Sequence, residues 1–177
     1  MKRLSVILIL ILIVALFISF VTDRFKVRYK SEIDYYADEY SIDRHLVYAL
    51  IKAESSFDPD AVSHKGAVGL MQVTGETALW CAEKIGDVTL AERMNEPDVN
   101  LKIGCFYLSY LLKRYSGSET AALAAYNAGA GNVDKWLCDS EHSPDGASLS
   151  SSPFPETDGY LKKVMLYKKV YEFLYNE

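Results

Sequence analysis

Glu54 stands where an apolar helix pattern runs out into a loop rich in Ser, Gly and Asp, within the stretch IKAESSFDPDAVSHKGAVGLMQV (residues 51–73). A carboxylate in such a place is partly desolvated, which favours its neutral form and suits it to donate a proton near neutral pH. That is the requirement of a general acid. An isolated Glu in a last helical turn is more often a solvated residue, so the company it keeps downstream decides the matter. Asp58 and Asp60 are the nearest candidates for a second carboxylate, but their D-P-D turn suits backbone hydrogen bonding better. Cys138 and His142 have a ligand-like spacing, yet a zinc site needs about four ligands and a second paired cluster is absent, so no metal is expected.

The elements that would position Glu54 read as helices nearly throughout. A polar, tyrosine-bearing piece over residues 31–40 predicts a first helix. Asp43 is placed to cap the next, with Ile42 and Val47 as its hydrophobic staple and Leu46, Val47, Leu50 and Ile51 as its buried face. This helix delivers Glu54. Pro59, Gly66 and Gly69 make the following loop an ordered turn region, with room for a short hairpin. Thr74 caps a helix that stops at Gly86, and after Pro97 and Asn100 the run LKIGCFYLSYLLKRYSG predicts a buried helix ending at Gly117. Ser118 caps another, whose Ala121, Ala122, Ala124 and Ala125 allow close backbone approach, and Asn132 is placed to cap a short helix to Leu137. Residues 139–152 read as a mobile loop at the edge of a cleft. Tyr160, Val164, Tyr167, Val170, Tyr171 and Leu174 then mark a core-facing last helix.

The first residues carry a separate signal. An apolar run opens at Leu4 and closes at Val21, broken only by Ser5 and Ser19. Eighteen helical residues rise roughly 27 Å, close to the hydrocarbon thickness of a bilayer. The run ends in bulky Phe17, Phe20 and Val21 rather than small cleavage-site residues, which favours an uncleaved signal anchor. Residues 1–22 are thus expected to be a transmembrane anchor, 23–40 a juxtamembrane segment with the first helix, and 41–177 one domain. Charge does not settle orientation, because Arg24, Lys26, Arg28 and Lys30 compete with Lys2 and Arg3. The net charge of −5 offers no basic footprint, so nucleic acid is not an expected partner. Cys81, Cys105 and Cys138 are odd in number for an exported domain; one disulfide with a free thiol and three thiols both fit, and no obligatory disulfide is expected.

Taken as a set, these residues resemble a known family. Glu54-Ser55 followed by Ala61, Ser63, Gly66 and Gly69-Leu70-Met71-Gln72 resembles the first two motifs of the soluble-lytic-transglycosylase-like (SLT) family of peptidoglycan-cleaving enzymes. Asn100, Gly104, Tyr107 and Leu108 resemble its N-I-x-x-G-x-x-Y-L helix. Ala124 to Gly129 with Gly131 and Trp136 resemble its Y-N-A-G motif, and Glu156-Thr157 with Tyr160 its E-T-x-x-Y element. Five motifs in family order and spacing cover the chain from about residue 42 to residue 171.

The resemblance implies a mainly α, lysozyme-like fold with a sugar-binding cleft, preceded here by one transmembrane helix. It places Glu54 on the family's catalytic acid/base, which protonates the oxygen between N-acetylmuramic acid and N-acetylglucosamine and then deprotonates the C6 hydroxyl to close a 1,6-anhydro ring. The substrate's acetamido group replaces a second carboxylate, a recognised exception among glycosidases. The implied substrate-binding residues are Ser63, Gly69, Leu70, Met71, Gln72, Tyr126, Asn127 and Tyr160, supported by Ser55 and Glu156. Within that set Met71 should line the cleft, Tyr126 and Asn127 should sit beside the acid, and Tyr160 should bring its hydroxyl near Glu54. No cofactor is implied. Peptidoglycan is the implied partner, which puts the domain on the outer face of the cytoplasmic membrane. Gly75, Ala130 and Asp158-Gly159 depart from the family pattern, the last leaving contacts of an expected Arg in doubt. His45, His64 and His142 match no catalytic position and read as surface residues. Two rivals stand beside this: a goose-type lysozyme-like hydrolase of the same bond, and a noncatalytic wall-binding or secretion-scaffold protein.

Overall fold

In the computed structural model, which describes residues 2–176, several helices begin or end where local chemistry satisfies their backbone. α1 (Lys2–Arg24) and α2 (Lys30–Glu39) are separated by a break at Tyr29, whose φ of 58° is left-handed. α3 (Arg44–Glu54) starts at Asp43, whose carboxylate accepts the His45 N–H at 2.9 Å. α4 (Gly75–Ile85) starts at Thr74, whose hydroxyl accepts from the Thr77 N–H, and it stops at Gly86 with φ +88°. α5 (Thr89–Glu92) is a single turn in the segment that follows Gly86. α6 (Pro97–Arg114), α7 (Glu119–Ala128), α8 (Ala130–Leu137) and α9 (Pro155–Leu174) complete the chain.

Three details differ from the sequence expectations. α6 begins at Pro97 rather than after Asn100, because proline at the first helical position loses an N–H that would be unpaired there anyway. α8 begins at Ala130, so Asn132 lies inside it and its amide donates to the Ala128 carbonyl at 2.8 Å instead of capping. Residues 139–152 are tied down: the Asp145 carboxylate accepts from the Ala147 and Ser148 N–H groups and the Ser148 hydroxyl, and Ser143 and Leu149 are buried. None of them lines the cleft. Among the described residues extended structure is limited to two isolated antiparallel bridges, Val62 with Val68 and Val68 with Val73, so the hairpin expected after Glu54 runs on into the G-L-M-Q segment.

α3 packs lengthwise on α9, and this pairing forms the floor of the molecule. α7, built from Ala121, Ala122, Leu123, Ala124 and Ala125 without exposed surface, packs against α6, α8 and α9. Small side chains bring these backbones close and leave the C-terminal end of α7, with Tyr126 and Asn127, facing the end of α3. α1 stands apart: its apolar window, Ile7–Arg24, has a mean hydropathy of 2.4 and none of it is buried against the body. A bilayer-spanning helix has that character by length and composition.

Candidate active site

Glu54 is the last residue of α3, and the chain leaves it abruptly, with Ser56 (φ 54°) and Phe57 (φ 64°) both left-handed. Ser55 holds this exit. Its hydroxyl donates to the Leu70 carbonyl at 2.8 Å and accepts the Phe57 N–H at 3.1 Å, linking the helix end to the G-L-M-Q segment. Tyr160, on α9, donates its hydroxyl to Oε1 of Glu54 at 2.7 Å. Among the described residues the other carboxyl oxygen has no hydrogen-bond partner of that kind.

The carboxyl is half-buried, and burial pushes its pKa up to about 7. The Tyr160 hydrogen bond and the charge of Lys163 both favour the ionised form and pull the other way, but burial prevails. The phenols of Tyr160 and Tyr126, buried beside this carboxyl, are raised well above their ordinary range. They therefore act as hydrogen-bond donors and not as acids near neutrality.

The wall opposite α9 is the G-L-M-Q segment, and its shape depends on α6. The Asn100 side chain, wholly buried, accepts the Met71 N–H at 2.9 Å and donates to the Val68 carbonyl at 3.0 Å and the Met94 carbonyl at 2.9 Å. Gly69 has φ +76°, and a Cβ there would lie 2.5 Å from the Asn100 amide nitrogen. A Cβ on Gly104, one turn along α6, would lie 2.4 Å from the Met71 sulfur. Both glycines are thus required by close approach. The Met71 carbonyl in turn accepts the Tyr126 hydroxyl at 2.8 Å.

The cleft residues expected from the sequence fall into two groups. Glu54, Ser63, Gln72, Tyr126, Asn127 and Glu156 line one cavity of about 190 Å³, with Tyr160 bonded to the acid. Gln72 faces it in a left-handed conformation (φ 49°), its amide nitrogen donating to the Ala61 and Gly69 carbonyls, which leaves its carbonyl oxygen for a ligand. Asn127 is oriented by the Thr157 hydroxyl, which donates to its Oδ1 at 2.9 Å. Leu70 and Met71 belong elsewhere. Their side chains have no exposed surface, and Met71, expected to line the cleft, packs its thioether 3.8 Å from the Cys105 sulfur against Gly104. The correction has a simple cause: the hydrogen bonds of Met71 to Asn100 and Tyr126 are made by its backbone, while the side chain is core. Gly69 is likewise buried, serving as the contact point with Asn100.

Other neighbours were not anticipated. His64 and Lys65 line the Glu54 cavity at its exposed rim, so His64 is a surface residue in the cleft mouth. Thr157 was part of a recognised motif without an assigned task. Tyr126 also borders a larger cavity of about 480 Å³, walled by Trp80, Tyr107 and Tyr110, so the groove continues beyond the acid along an aromatic face. The spacing of Tyr107 and Tyr110 on α6 was a legible hint of it. Asp58 and Asp60 form the expected turn, Asp58 accepting the Asp60 N–H at 3.1 Å, and neither lines the Glu54 cavity. Cys81 and Cys105 are buried free thiols and Cys138 is an exposed one.

Comparison with known proteins agrees in sequence and in shape. The family model for the transglycosylase SLT domain matches residues 31–147. The soluble lytic murein transglycosylase of Salmonella typhimurium is 35% identical over 152 residues, which is 84% of this chain and 24% of the relative. The membrane-bound lytic murein transglycosylase C of Sodalis glossinidius is 35% identical over 108 residues, 55% of this chain and 30% of that protein. Among solved structures, the 70 kDa soluble lytic transglycosylase of Escherichia coli, also solved in complex with bulgecin A, superimposes with a TM-score of 0.79 at 28% identity, covering 89% of this chain and 26% of that one. The Slt lytic transglycosylase of Pseudomonas aeruginosa, solved as an inactive Glu-to-Gln mutant, matches with a TM-score of 0.78 at 31% identity over 88% of this chain and 26% of that one. The chain spans about a quarter of the length of the soluble relatives it matches.

Proposed function

The chain belongs to the transglycosylase SLT domain family, and from that membership we propose that it is a membrane-anchored lytic transglycosylase that cleaves the MurNAc-GlcNAc bond of peptidoglycan, with Glu54 as its single general acid and base. The observation that carries this reading is a carboxyl whose pKa burial pushes up to about 7, at the wall of a groove, with one oxygen held by Tyr160 and the other free. Near neutral pH such a group is present in both protonation states, which suits a residue that must first give a proton and then take one.

In the first step the proton on the free oxygen of Glu54 passes to the glycosidic oxygen. The C1–O bond breaks, the GlcNAc-side fragment leaves as an alcohol, and the acetamido oxygen of the MurNAc residue bonds to C1. In the second step the Glu54 carboxylate removes the C6 hydroxyl proton. The C6 oxygen displaces the acetamido oxygen at C1, the 1,6-anhydro ring closes, and Glu54 is again protonated without water being consumed. Ser63, Asn127 and the Gln72 carbonyl surround the reacting ring with polar groups, and the Tyr126-Met71-Asn100 chain keeps that wall in place. Inactivation of the Pseudomonas relative by a Glu-to-Gln exchange supports an indispensable glutamate.

The apolar, unburied α1 supports anchoring, and the membrane-bound relatives fit it; a domain that acts on peptidoglycan faces the wall. Glu54→Gln should abolish release of anhydro-muropeptides from purified sacculi, read by mass spectrometry, while circular dichroism stays that of the wild type. Undiminished anhydro product from this variant would sink the assignment. One observation favours a second reading, hydrolysis: Glu156 lines the same cavity and provides the second carboxylate that a water-activating enzyme needs. Glu156→Gln separates the two, since a hydrolase of that kind, whose products carry a reducing end, loses turnover in this variant, whereas the lytic enzyme retains turnover and the anhydro terminus.

A further inference from the structure

Positive charge gathers where α1 meets the body. Phe25, just past α1, packs edge-on against Tyr167 at 5.3 Å and Tyr171 at 5.5 Å between ring centres. The Tyr175 hydroxyl accepts the Val27 N–H at 3.1 Å and donates to the Phe25 carbonyl at 3.2 Å, fixing this segment to the end of α9. Lys52, on α3, is only 6% exposed, and its ammonium lies 5.9 Å from the centre of the Phe25 ring. Burial, then the charges of Arg24 and Lys163, lower its proton affinity. Lys163 donates to the Ala53 carbonyl at 2.9 Å. Among the described residues no carboxylate comes within ion-pair distance of Arg24, Lys52 or Lys163.

A second feature lies in the same place. The Tyr171 hydroxyl is buried without a hydrogen-bond partner, on a side chain that interacts electrostatically with Arg24. Lys52 feels the charges of both Arg24 and Lys163, and an anion seated among the three relieves that repulsion. The depth fits as well: Arg24 lies three residues beyond Val21, about 4.5 Å along the helix axis, and the headgroup layer on each side of a bilayer is roughly 5–7 Å deep.

We propose that Arg24, Lys52 and Lys163 form a site for the phosphate of an anionic phospholipid headgroup, which seats the base of the catalytic domain on the bilayer. The site rests on the membrane-anchored reading of α1. A net anionic headgroup is required because the choline of a zwitterionic lipid offsets the charge of its own phosphate.

The test is the thermal unfolding of the full chain in nanodiscs of phosphatidylcholine alone and of phosphatidylcholine enriched in phosphatidylglycerol. The wild type should melt several degrees higher in the anionic discs, and the shift should shrink in Arg24→Gln and vanish in Arg24→Gln with Lys52→Met. Lys52→Met removes a buried, unpaired charge and should itself raise Tm in phosphatidylcholine, which keeps a folded variant in hand. A full shift retained by the double variant, or no shift in the wild type, overturns the site. Inorganic phosphate added to the phosphatidylcholine discs should leave Tm unchanged; a rise matching that of phosphatidylglycerol would make this a free-phosphate site and overturn the lipid assignment. A chain that fails to enter any disc removes the anchor and this site together, whereas one that enters without lipid dependence removes the site alone.

Discussion

The state of one proton on Glu54 governs stability and, on the proposed function, activity as well. Its pKa in the folded chain, about 7, lies above the ordinary value, so the folded state holds that proton more tightly than the unfolded one. Stability from this source is fully present below the ordinary Glu pKa and is lost as pH rises through about 7. Discounted for partial exposure, the loss is about 2 kcal/mol. Glu54→Gln keeps an acceptor for Tyr160 and never ionises, so urea denaturation should find it more stable than the wild type by about that amount at pH 8 and equal to it at pH 4. Tyr160→Phe acts in the other direction on the proton, because it removes a donor that favours the carboxylate. The alkaline limb of the kcat/KM profile should move to higher pH, with kcat falling roughly tenfold; an unmoved limb would show that the phenol does not tune the acid. Glu54 and Tyr160 were legible in the sequence because acid and donor sit in recognisable motifs. The burial of Leu70 and Met71 was not, because a motif records that a residue is needed without recording whether its backbone or its side chain is used.

Between elements, α6 is the strut that shapes the G-L-M-Q wall from behind, while its Tyr107 and Tyr110 face the adjoining groove. Asn100 satisfies three backbone groups of neighbouring loops, so Asn100→Ala leaves buried polar groups unpaired and should cost about 3 kcal/mol. Gly104→Ala drives a Cβ into Met71 and should cost about 1–3 kcal/mol. Both should lower muropeptide release by more than their stability loss explains, since the Met71 carbonyl that holds Tyr126 moves; equal release per folded molecule would refute that coupling. Most helix limits were readable from caps, as at Asp43, Thr74 and Ser118. The starts of α6 and α8 were misplaced because Pro97 and Asn132 each suit two positions, first turn or breaker, cap or helix interior, and tertiary packing chooses between them. The order in residues 139–152 escaped for a related reason: a carboxylate such as Asp145 can organise a Ser-rich loop through hydrogen bonds that composition does not specify.

Across the whole molecule, the segment that follows α1 meets the end of α9. Phe25 and Val27 dock on Tyr167, Tyr171 and Tyr175, so a soluble truncation that begins at Phe25 keeps this contact and one that begins at Ser31 loses it. The shorter form should be less stable by about 1–3 kcal/mol, measured by thermal denaturation of the two forms side by side. No local pattern around Phe25 announces this docking, which joins residues 148 apart. The Glu54–Tyr160 hydrogen bond spans a separation of 106 residues in the same sense. A growing chain is made from its N-terminus, so Glu54 is synthesised long before the phenol that orients it and before α9, which closes the floor beneath it. On the proposed function, competence therefore arrives late in biosynthesis: a nascent chain carries the acid but not the assembled site until α9 folds home.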